Sequence, residues 1–198
     1  IDFIMTGDDG DNIIITDGGD DIIYGGAGND IIMGGSGNDI LYTGSGDTFL
    51  YGEGGDDTLV ISGSGGATLN GGAGSDTVRS NLTNYTPNIE NFVVEMNLST
   101  GISGALGIES PLEDTLISIE NIEYIGPHKS ELTGNELANS IWGGDGDDII
   151  SGGAGNDTLD SGAGDDVVYG GEGDDTIIQS GSGTQHYDGG ADVDTYVL

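Results

Sequence analysis

The stretch Gly25-Gly-Ala-Gly-Asn-Asp-Ile-Ile-Met33 contains the pattern that decides the fold of this chain. Its glycines permit a tight turn and close approach by other backbone. Its last three residues are apolar, and β-branched residues of this kind favour a short strand. The same pattern returns as Gly152-Gly-Ala-Gly-Asn-Asp-Thr-Leu-Asp160. A nine-residue unit, made of a turn followed by a strand, is therefore the building block.

The unit recurs in register along most of the chain. One array has units that begin at residues 7, 16, 25, 34, 43 and 52 and, after the extra residue Ile61, at 62 and 71. A second array begins at 134, 143, 152, 161 and 170 and, after the extra residue Gln179, at 180 and 189. These fifteen units cover 135 of the 198 residues. A fixed period predicts a stacked repeat fold and not a glycine-rich linker.

Three positions of the unit are nearly constant. Position four is glycine in thirteen of the fifteen units, and position eight is apolar in all of them. Position six is aspartate in ten units, namely Asp21, Asp30, Asp39, Asp57, Asp76, Asp148, Asp157, Asp166, Asp175 and Asp194. Two units then predict one coil with a strand on each of two facing sheets, and coils stack about 4.8 Å apart. Position eight points inward, whereas positions seven and nine face outward.

The pattern G-G-x-G-x-D-x-(apolar)-x resembles the RTX (repeats-in-toxin) nonapeptide repeat. That resemblance implies an all-β fold, a right-handed parallel β-roll (solenoid), with Ca²⁺ bound in its turns. It also implies type I secretion from Gram-negative bacteria and folding outside the cell. On this basis we expect a first β-roll block at 1–79, a non-repeat β-rich segment at 80–133 that bridges or caps the rolls, and a second block at 134–198.

The position-six carboxylates indicate a metal independently of the family. Turns alternate sides, so equivalent carboxylates lie about one coil apart and repel. Ca²⁺ takes six to eight oxygen ligands, including backbone carbonyls, whereas Mg²⁺ prefers a smaller octahedron. Zn²⁺ prefers His or Cys, and the chain has two His and no Cys. The predicted ligands are the ten aspartates, more weakly Asn12 and Asn139, and carbonyls of the glycine-rich turns, for about eight to ten Ca²⁺ in all.

Composition excludes several other functions. The chain has 36 Asp+Glu, 2 Lys+Arg and a formal net charge of −34. It therefore has no basic patch for nucleic acid or for an anionic membrane surface, and no apolar run long enough for a spanning helix. His128 and His186 are the only histidines and no His-Glu-x-x-His motif occurs, so we expect no catalytic residue in this fragment. A chain that begins at Ile1 is expected to be part of a longer protein.

The outer faces of the first block are unusually apolar. One predicted sheet presents Ile13, Ile15, Ile31, Met33, Phe49 and Tyr51, and the other presents Ile22, Tyr24, Ile40 and Tyr42. Such patches usually mark an interface. Cover by residues 80–133 or by flanking domains is one interpretation, and self-packing is another. The third is a surface for a glycan or protein ligand, formed by Tyr24, Tyr42, Tyr51, Ile22, Ile40 and Phe49.

Residues 80–133 break the period. Alternation predicts strands at 92–98 and 115–122, and the glycines and proline of 99–112 predict a loop. Trp142 is expected to pack on the first turn of the second block.

Two functional interpretations remain from the sequence. The first is a calcium-driven folding and secretion module of a larger secreted toxin, protease, lipase or polysaccharide-modifying enzyme. The second is an adhesin or cell-surface module that binds through the apolar-aromatic face of block one. Both place the protein outside a Gram-negative cell or on its surface.

Overall fold

The computed structural model describes residues 1–81, 93–106 and 113–198. All the regular elements in these ranges are β-strands, and the described residues include no helix. They form two compact units, unit 1 with residues 1–81 and 113–119, and unit 2 with residues 93–106 and 120–198. The predicted all-β parallel β-roll is confirmed.

The described part of unit 1 contains ten strands. They are β1 (Ile4–Thr6), β2 (Ile13–Ile15), β3 (Ile22–Tyr24), β4 (Ile31–Ser36), β5 (Ile40–Tyr42), β6 (Thr48–Gly54), β7 (Thr58–Ile61), β8 (Ala67–Ala73), β9 (Thr77–Asn81) and β12 (Asp114–Ile117). In one sheet the order is β1-β3-β5-β7-β9, and in the other it is β2-β4-β6-β8-β12. All the neighbouring pairs in both sheets are parallel.

The described part of unit 2 contains eleven strands. They are β10 (Val93–Asn97), β11 (Ile102–Leu106), β13 (Asn121–Ile125), β14 (Ser130–Thr133), β15 (Ser140–Trp142), β16 (Ile149–Ala154), β17 (Thr158–Asp160), β18 (Val167–Glu172), β19 (Thr176–Ile178), β20 (His186–Ala191) and β21 (Thr195–Val197). One sheet runs β13-β15-β17-β19-β21 and the other β11-β10-β14-β16-β18-β20. Only the β10–β11 pair is antiparallel among them.

Each strand pairs with the strand two units further on, because each turn carries the chain across to the facing sheet. Ile23 pairs with Leu41 at a spacing of eighteen residues. Leu59 pairs with Val78 at nineteen, because the extra residue Ile61 is absorbed without a change of face. The predicted stacking of turn n on turn n+2 is therefore correct.

Position eight forms the core, as predicted. Twelve of its side chains are at most 1% exposed: Ile23, Ile32, Leu41, Leu50, Leu59, Leu69, Val78, Ile141, Ile150, Leu159, Val168 and Ile177. The ends of the repeats differ because no further coil covers them. Ile14 and Tyr187 are half-buried, and Tyr196 is 46% exposed.

The first six residues belong to the repeat, although their sequence does not match it. Ile4 pairs with Ile22 and Met5 with Ile23, so β1 occupies positions seven to nine of a further unit. Phe3 occupies position six, and its backbone N–H donates to Asp21 Oδ1 at 2.7 Å.

The non-repeat segment adds coils to the rolls. Met96, Leu116, Ile122 and Leu132 are all buried, and each lies in register with a position-eight residue or with one another. The predicted single strand at 115–122 is wrong, because the chain turns at Ser118 (φ 49°) and forms β12 and β13. The predicted loop at 99–112 is wrong over 102–106, where β11 pairs with β10. Residue 92 and residues 107–112 lie outside the described residues. The boundaries at 79/80 and 133/134 stay predictions.

On the outer faces of the first block, Ile13 and Ile15 are 70% and 59% exposed. Cover of these faces by residues 80–133 or by flanking domains stays a prediction.

Candidate metal centre

The position-six side chains form a buried row along the turns, which we call the inner row. In each case Oδ1 accepts a backbone N–H from the preceding coil: Asp39 Oδ1 from Asp21 and Asp57 Oδ1 from Asp39, both at 2.8 Å. The same bond occurs at all ten aspartates, Asp21, Asp30, Asp39, Asp57, Asp76, Asp148, Asp157, Asp166, Asp175 and Asp194. This bond fixes each carboxylate under its own turn.

Most of the second oxygens of the inner row make no hydrogen bond with the described residues. Eight of these Oδ2 atoms are buried without one, those of Asp21, Asp30, Asp39, Asp57, Asp148, Asp157, Asp166 and Asp175. Each of the eight residues is at most 1% exposed. A buried, unpaired carboxylate oxygen is strongly unfavourable unless a cation compensates it.

The first residue of the unit provides space beside this oxygen. A Cβ at Gly25 would lie 2.7 Å from Asp30 Oδ2 and 2.5 Å from the carbonyl oxygen of Thr43 in the next coil. At Gly143 the corresponding distances are 2.7 Å to Asp148 Oδ2 and 2.8 Å to the Ser161 carbonyl oxygen. Gly52, Gly71, Gly152 and Gly170 have the same pair of neighbours, a carboxylate Oδ2 and a carbonyl of the next coil. Glycine thus keeps open a small cradle in which side-chain and backbone oxygens converge.

The donor set of the cradle fits a hard cation. Its atoms are carboxylate and carbonyl oxygens, which are the ligands of Ca²⁺. No group of three or more His, Cys, Asp or Glu side chains converges within the described ranges. Any site in the turns therefore needs backbone carbonyls to complete its coordination.

Burial opposes the ionisation of five inner-row carboxylates, those of Asp39, Asp57, Asp148, Asp157 and Asp175. It raises the pKa of Asp57 to about 7 and that of Asp157 to about 6, and neighbouring carboxylates of the row add to the shift. The pKa of Asp148 is raised to about 8, despite hydrogen bonds from the Ser130 N–H and hydroxyl. The pKa values of Asp39 and Asp175 are also raised, again mainly by burial. A divalent ion bound beside these carboxylates would stabilise their charged form and offset the cost of burying them.

The two sides of unit 1 differ in this row. Asp21, Asp39, Asp57 and Asp76 follow one another without a break. On the other side Asp30 is followed by Thr48, whose hydroxyl donates to the Thr43 carbonyl, and then by Ala67. The poorer side is the one that the sequence predicts.

Asp114 is an inner-row residue that sequence reasoning missed. Its Oδ1 accepts the Ala67 N–H at 2.8 Å, which is the bond made by the repeat aspartates. It is 6% exposed, and burial raises its pKa to about 6. No period leads to this residue, because it lies 47 positions after Ala67. The one available signal is the short pattern Asp114-Thr-Leu116, which also occurs at Asp57-Thr-Leu59 and Asp157-Thr-Leu159.

The comparison with protein families agrees with this geometry. A model of the RTX calcium-binding nonapeptide repeat (four copies) matches residues 6–41, 33–60, 61–84, 133–168, 142–177 and 162–196, which is well over half of the chain. The chain belongs to the RTX calcium-binding nonapeptide-repeat family. It is a calcium-binding β-roll module, since RTX repeats bind Ca²⁺. A search of curated proteins found no match.

The two RTX units with asparagine in the inner row have a different arrangement. Asn12 Oδ1 accepts the Asp8 N–H, and Asn139 Oδ1 accepts the Asn135 N–H, both at 2.8 Å and within the same turn. Asn139 Nδ2 donates to the Glu120 carbonyl oxygen at 2.6 Å. Neither amide oxygen is left without a partner, which agrees with a weaker role as ligand.

A second row, at position five of the RTX unit, was not expected from the sequence. We call it the outer row. Its Oδ1 atoms accept the N–H of the following coil at 2.7–3.1 Å, in Asp2, Asp11, Asp20, Asn29, Asn38, Asp47, Asp56, Asp147, Asn156, Asp165 and Asp174. These bonds are exposed to solvent. Asparagine and aspartate alternate freely here, so the row depends on a hydrogen bond and not on charge.

The predicted partner surface lies on the outer faces of unit 1. Tyr24 is 38% and Phe49 44% exposed, whereas Tyr42, Tyr51, Ile22 and Ile40 are half-buried. The rings of Tyr24 and Tyr42 stack on each other, with centroids 4.4 Å apart and an interplanar angle of 16°. A sugar therefore cannot stack between them.

No helix that could cross a membrane was found in the described ranges.

Proposed function

We propose that the chain is a module whose β-roll forms when calcium binds, within a larger protein that leaves a Gram-negative cell by type I secretion. The observation that carries the proposal is the row of buried Oδ2 atoms without a hydrogen bond, those of Asp21, Asp30, Asp39, Asp57, Asp148, Asp157, Asp166 and Asp175. In the absence of a cation, those atoms oppose folding.

The proposed ligands are the ten inner-row aspartates with the carbonyl oxygens of the position-one residues. Asn12 and Asn139 are weaker candidates, and Asp114 is added because it occupies the same place under Ala67. The expected number of ions is about eight to ten. Support comes from the cradles at six position-one glycines, where Oδ2 and a carbonyl oxygen approach the same point.

When bound, Ca²⁺ would supply positive charge and coordination to oxygens of adjacent coils. The chain itself supplies the rest of the design. The N–H groups of the preceding coil hold Oδ1, the position-eight side chains exclude water beneath the turn, and glycine leaves the space. Binding free energy then becomes folding free energy, because the unfolded chain has no such site.

The coupling of folding to calcium binding is compatible with secretion of an unfolded chain. Extracellular calcium modules bind at about 10⁻⁴–10⁻³ M, so the chain would remain unfolded where free calcium is scarce. A net charge of −34 also disfavours compaction before calcium binds. Flanking domains of the parent protein are expected partners.

Circular dichroism and native mass spectrometry test the proposal together. Strand signal should appear on addition of millimolar Ca²⁺, be lost on chelation and be restored poorly by Mg²⁺. The mass spectrum should show several bound ions. A chain with equal strand content in calcium and in chelator, or with at most one bound ion, would contradict the proposal.

A second candidate function, an adhesin or ligand-binding module, is favoured by one observation. The outward positions seven and nine of the ten described strands of unit 1 include no Asp or Glu, although the chain has 36 acids. Depletion of charge is typical of the centre of an interface. In a glycan and protein binding screen, the double variant Tyr24→Ser/Tyr42→Ser should lose a ligand that Tyr169→Ser retains. Absence of any calcium-dependent ligand would count against this function.

A further inference from the structure

Trp142 is the only tryptophan of the chain and lies on the outer face of unit 2. It is 49% exposed, so the expected packing on the first turn of the second block covers only half of it. Neighbouring strands place Glu123 on one side of it and Asp160 on the other. A large aromatic side chain therefore lies half exposed between two carboxylates.

A cavity of about 190 Å³ opens beside this ring. Ile125, Gly126 and Gly144 form its mainly apolar wall together with Tyr124, and Glu123 and Asp145 also line it. The Asp145 N–H donates to the Gly126 carbonyl oxygen at 2.9 Å, which holds the two turns together. A cavity of about 150 Å³ can already hold a benzene-sized molecule, so a small organic group fits here.

Tyr124 adds a buried polar group to the wall. It is fully buried, and its hydroxyl lies beside the backbone of His128. The hydroxyl oxygen lies 2.5 Å from the point that a Gly126 Cβ would occupy, so it supports the part of the wall formed by this glycine.

The charge around the cavity favours a cation. Asp160 is fixed by the Gly162 N–H and the Ser180 hydroxyl and adds negative potential next to the ring. Lys129, the described cation nearest in sequence, pairs with Glu131 at 2.9 Å. An aromatic face attracts cations, and carboxylates form charge-assisted hydrogen bonds with their N–H groups.

We propose that Trp142, Glu123 and Asp145 form a binding site for an organic cation of side-chain size, a guanidinium or an alkylammonium. The Trp142 ring packs against the apolar part of the ligand and attracts its cationic group. The two carboxylates accept hydrogen bonds from the ligand N–H groups. The site uses no inner-row residue and is separate from calcium binding.

Fluorescence of the single tryptophan tests the site in the complete, calcium-saturated chain. The probe is N-acetyl-arginine amide, with choline as the ammonium probe and N-acetyl-citrulline amide as the neutral isostere, all at constant ionic strength. We expect saturable changes in emission with arginine amide or choline and none with citrulline amide. An equal response to the neutral isostere, or no response to either cation, would overturn the proposal.

Variants then locate the binding. Glu123→Gln and Asp145→Asn should each weaken it by about fivefold, the ratio expected for loss of one exposed ionic or cation–π contact. Asp188→Asn removes an acid from the outer face of the other sheet of unit 2 and should leave the affinity unchanged. An equal loss in Asp188→Asn would show that the cations respond only to net charge, which refutes the site. Circular dichroism of each variant in calcium verifies the fold, so this result is independent of calcium-driven folding.

Discussion

The inner and outer rows of the turns make the same hydrogen bond in opposite directions and in different surroundings. Asp57, in the inner row, accepts an N–H from the preceding coil and is 1% exposed. Asp56, next to it in the outer row, accepts an N–H from the following coil and is exposed. Both aspartate and asparagine make the bond in the outer row, as Asp56 and Asn38 show. In the inner row, Asn139 contacts the preceding coil through Nδ2, which donates to the Glu120 carbonyl oxygen. The hydrogen bond alone therefore does not require a charge, and the proposed cation would account for the charge of the inner row.

The largest difference between the rows is expected with pH in calcium-free solution. Burial raises the pKa of Asp57 to about 7 and that of Asp148 to about 8, from a usual value of 3.8. The folded chain then binds more protons than the unfolded chain between about pH 4 and pH 8, so its stability falls as the pH rises through that window. Without calcium, strand content should be higher at pH 4.5 than at pH 8, as measured by circular dichroism.

A matched pair of double variants separates this effect from net charge. Asp57→Asn/Asp148→Asn removes two inner carboxylates and should flatten the pH dependence. Asp56→Asn/Asp147→Asn removes two outer carboxylates, which add least to the raised pKa values of Asp57 and Asp148, and should reduce the pH dependence only slightly. Equal flattening in both variants would show that overall charge, and not burial, controls the folding of the calcium-free chain.

The next effect in size is expected from filling a cradle. In Gly52→Ala the new Cβ meets Asp57 Oδ2 and the Gly71 carbonyl oxygen. Overpacking of this kind costs about 1–3 kcal/mol, and the unfolding midpoint in urea with calcium should fall accordingly. Gly66→Ala at position five is the control, because its nearest neighbour, the Glu113 carbonyl oxygen, lies at 3.6 Å. An equal fall of the unfolding midpoint in both variants would show that the space beside Asp57 Oδ2 has no particular role in stability.

The most specific test, with an effect of similar size, comes from single substitutions in the rows. Asp57→Asn should lower the free energy of unfolding in calcium by about 1–3 kcal/mol, because a buried charged partner is lost. In chelator the same change should be neutral or stabilising, since it removes a buried charge. Asp56→Asn should change either value by no more than about 0.5 kcal/mol. A loss in chelator equal to that in calcium would assign Asp57 a purely structural role.

Much of the fold could be predicted from periodicity, because each repeat makes similar contacts with its neighbours. The apolar side chain at position eight and the acid at position six are placed correctly wherever the nine-residue pattern is intact. Prediction failed where the pattern is absent. Met96 and Leu132 occupy core positions in strands whose neighbouring residues resemble no repeat, and β12 and β13 separate at a single turn residue, Ser118.

The residues of the candidate site were also predicted only where the repeat pattern is intact. The sequence predicts the ten inner aspartates, since their spacing repeats, and it predicts which side of unit 1 is poorer in them. It does not predict Asp114, which reaches Ala67 only because β12 pairs with β8. Nor does it predict the outer row, because position five varies among Asp, Asn, Gly, Ser, Thr, Ala and Val. The row becomes visible only through its hydrogen bonds.

The sequence by itself determined the period, the inward and outward faces of each strand and the regular spacing of the aspartates. These features depend on local geometry and charge, and each nine-residue unit contains the residues that decide them. The tertiary structure decided which oxygens are left unpaired and where the cradles open. It also recruited residues of the non-repeat segment into the coils. Those features depend on contacts between residues eighteen or more positions apart, and only stacking of the coils creates them.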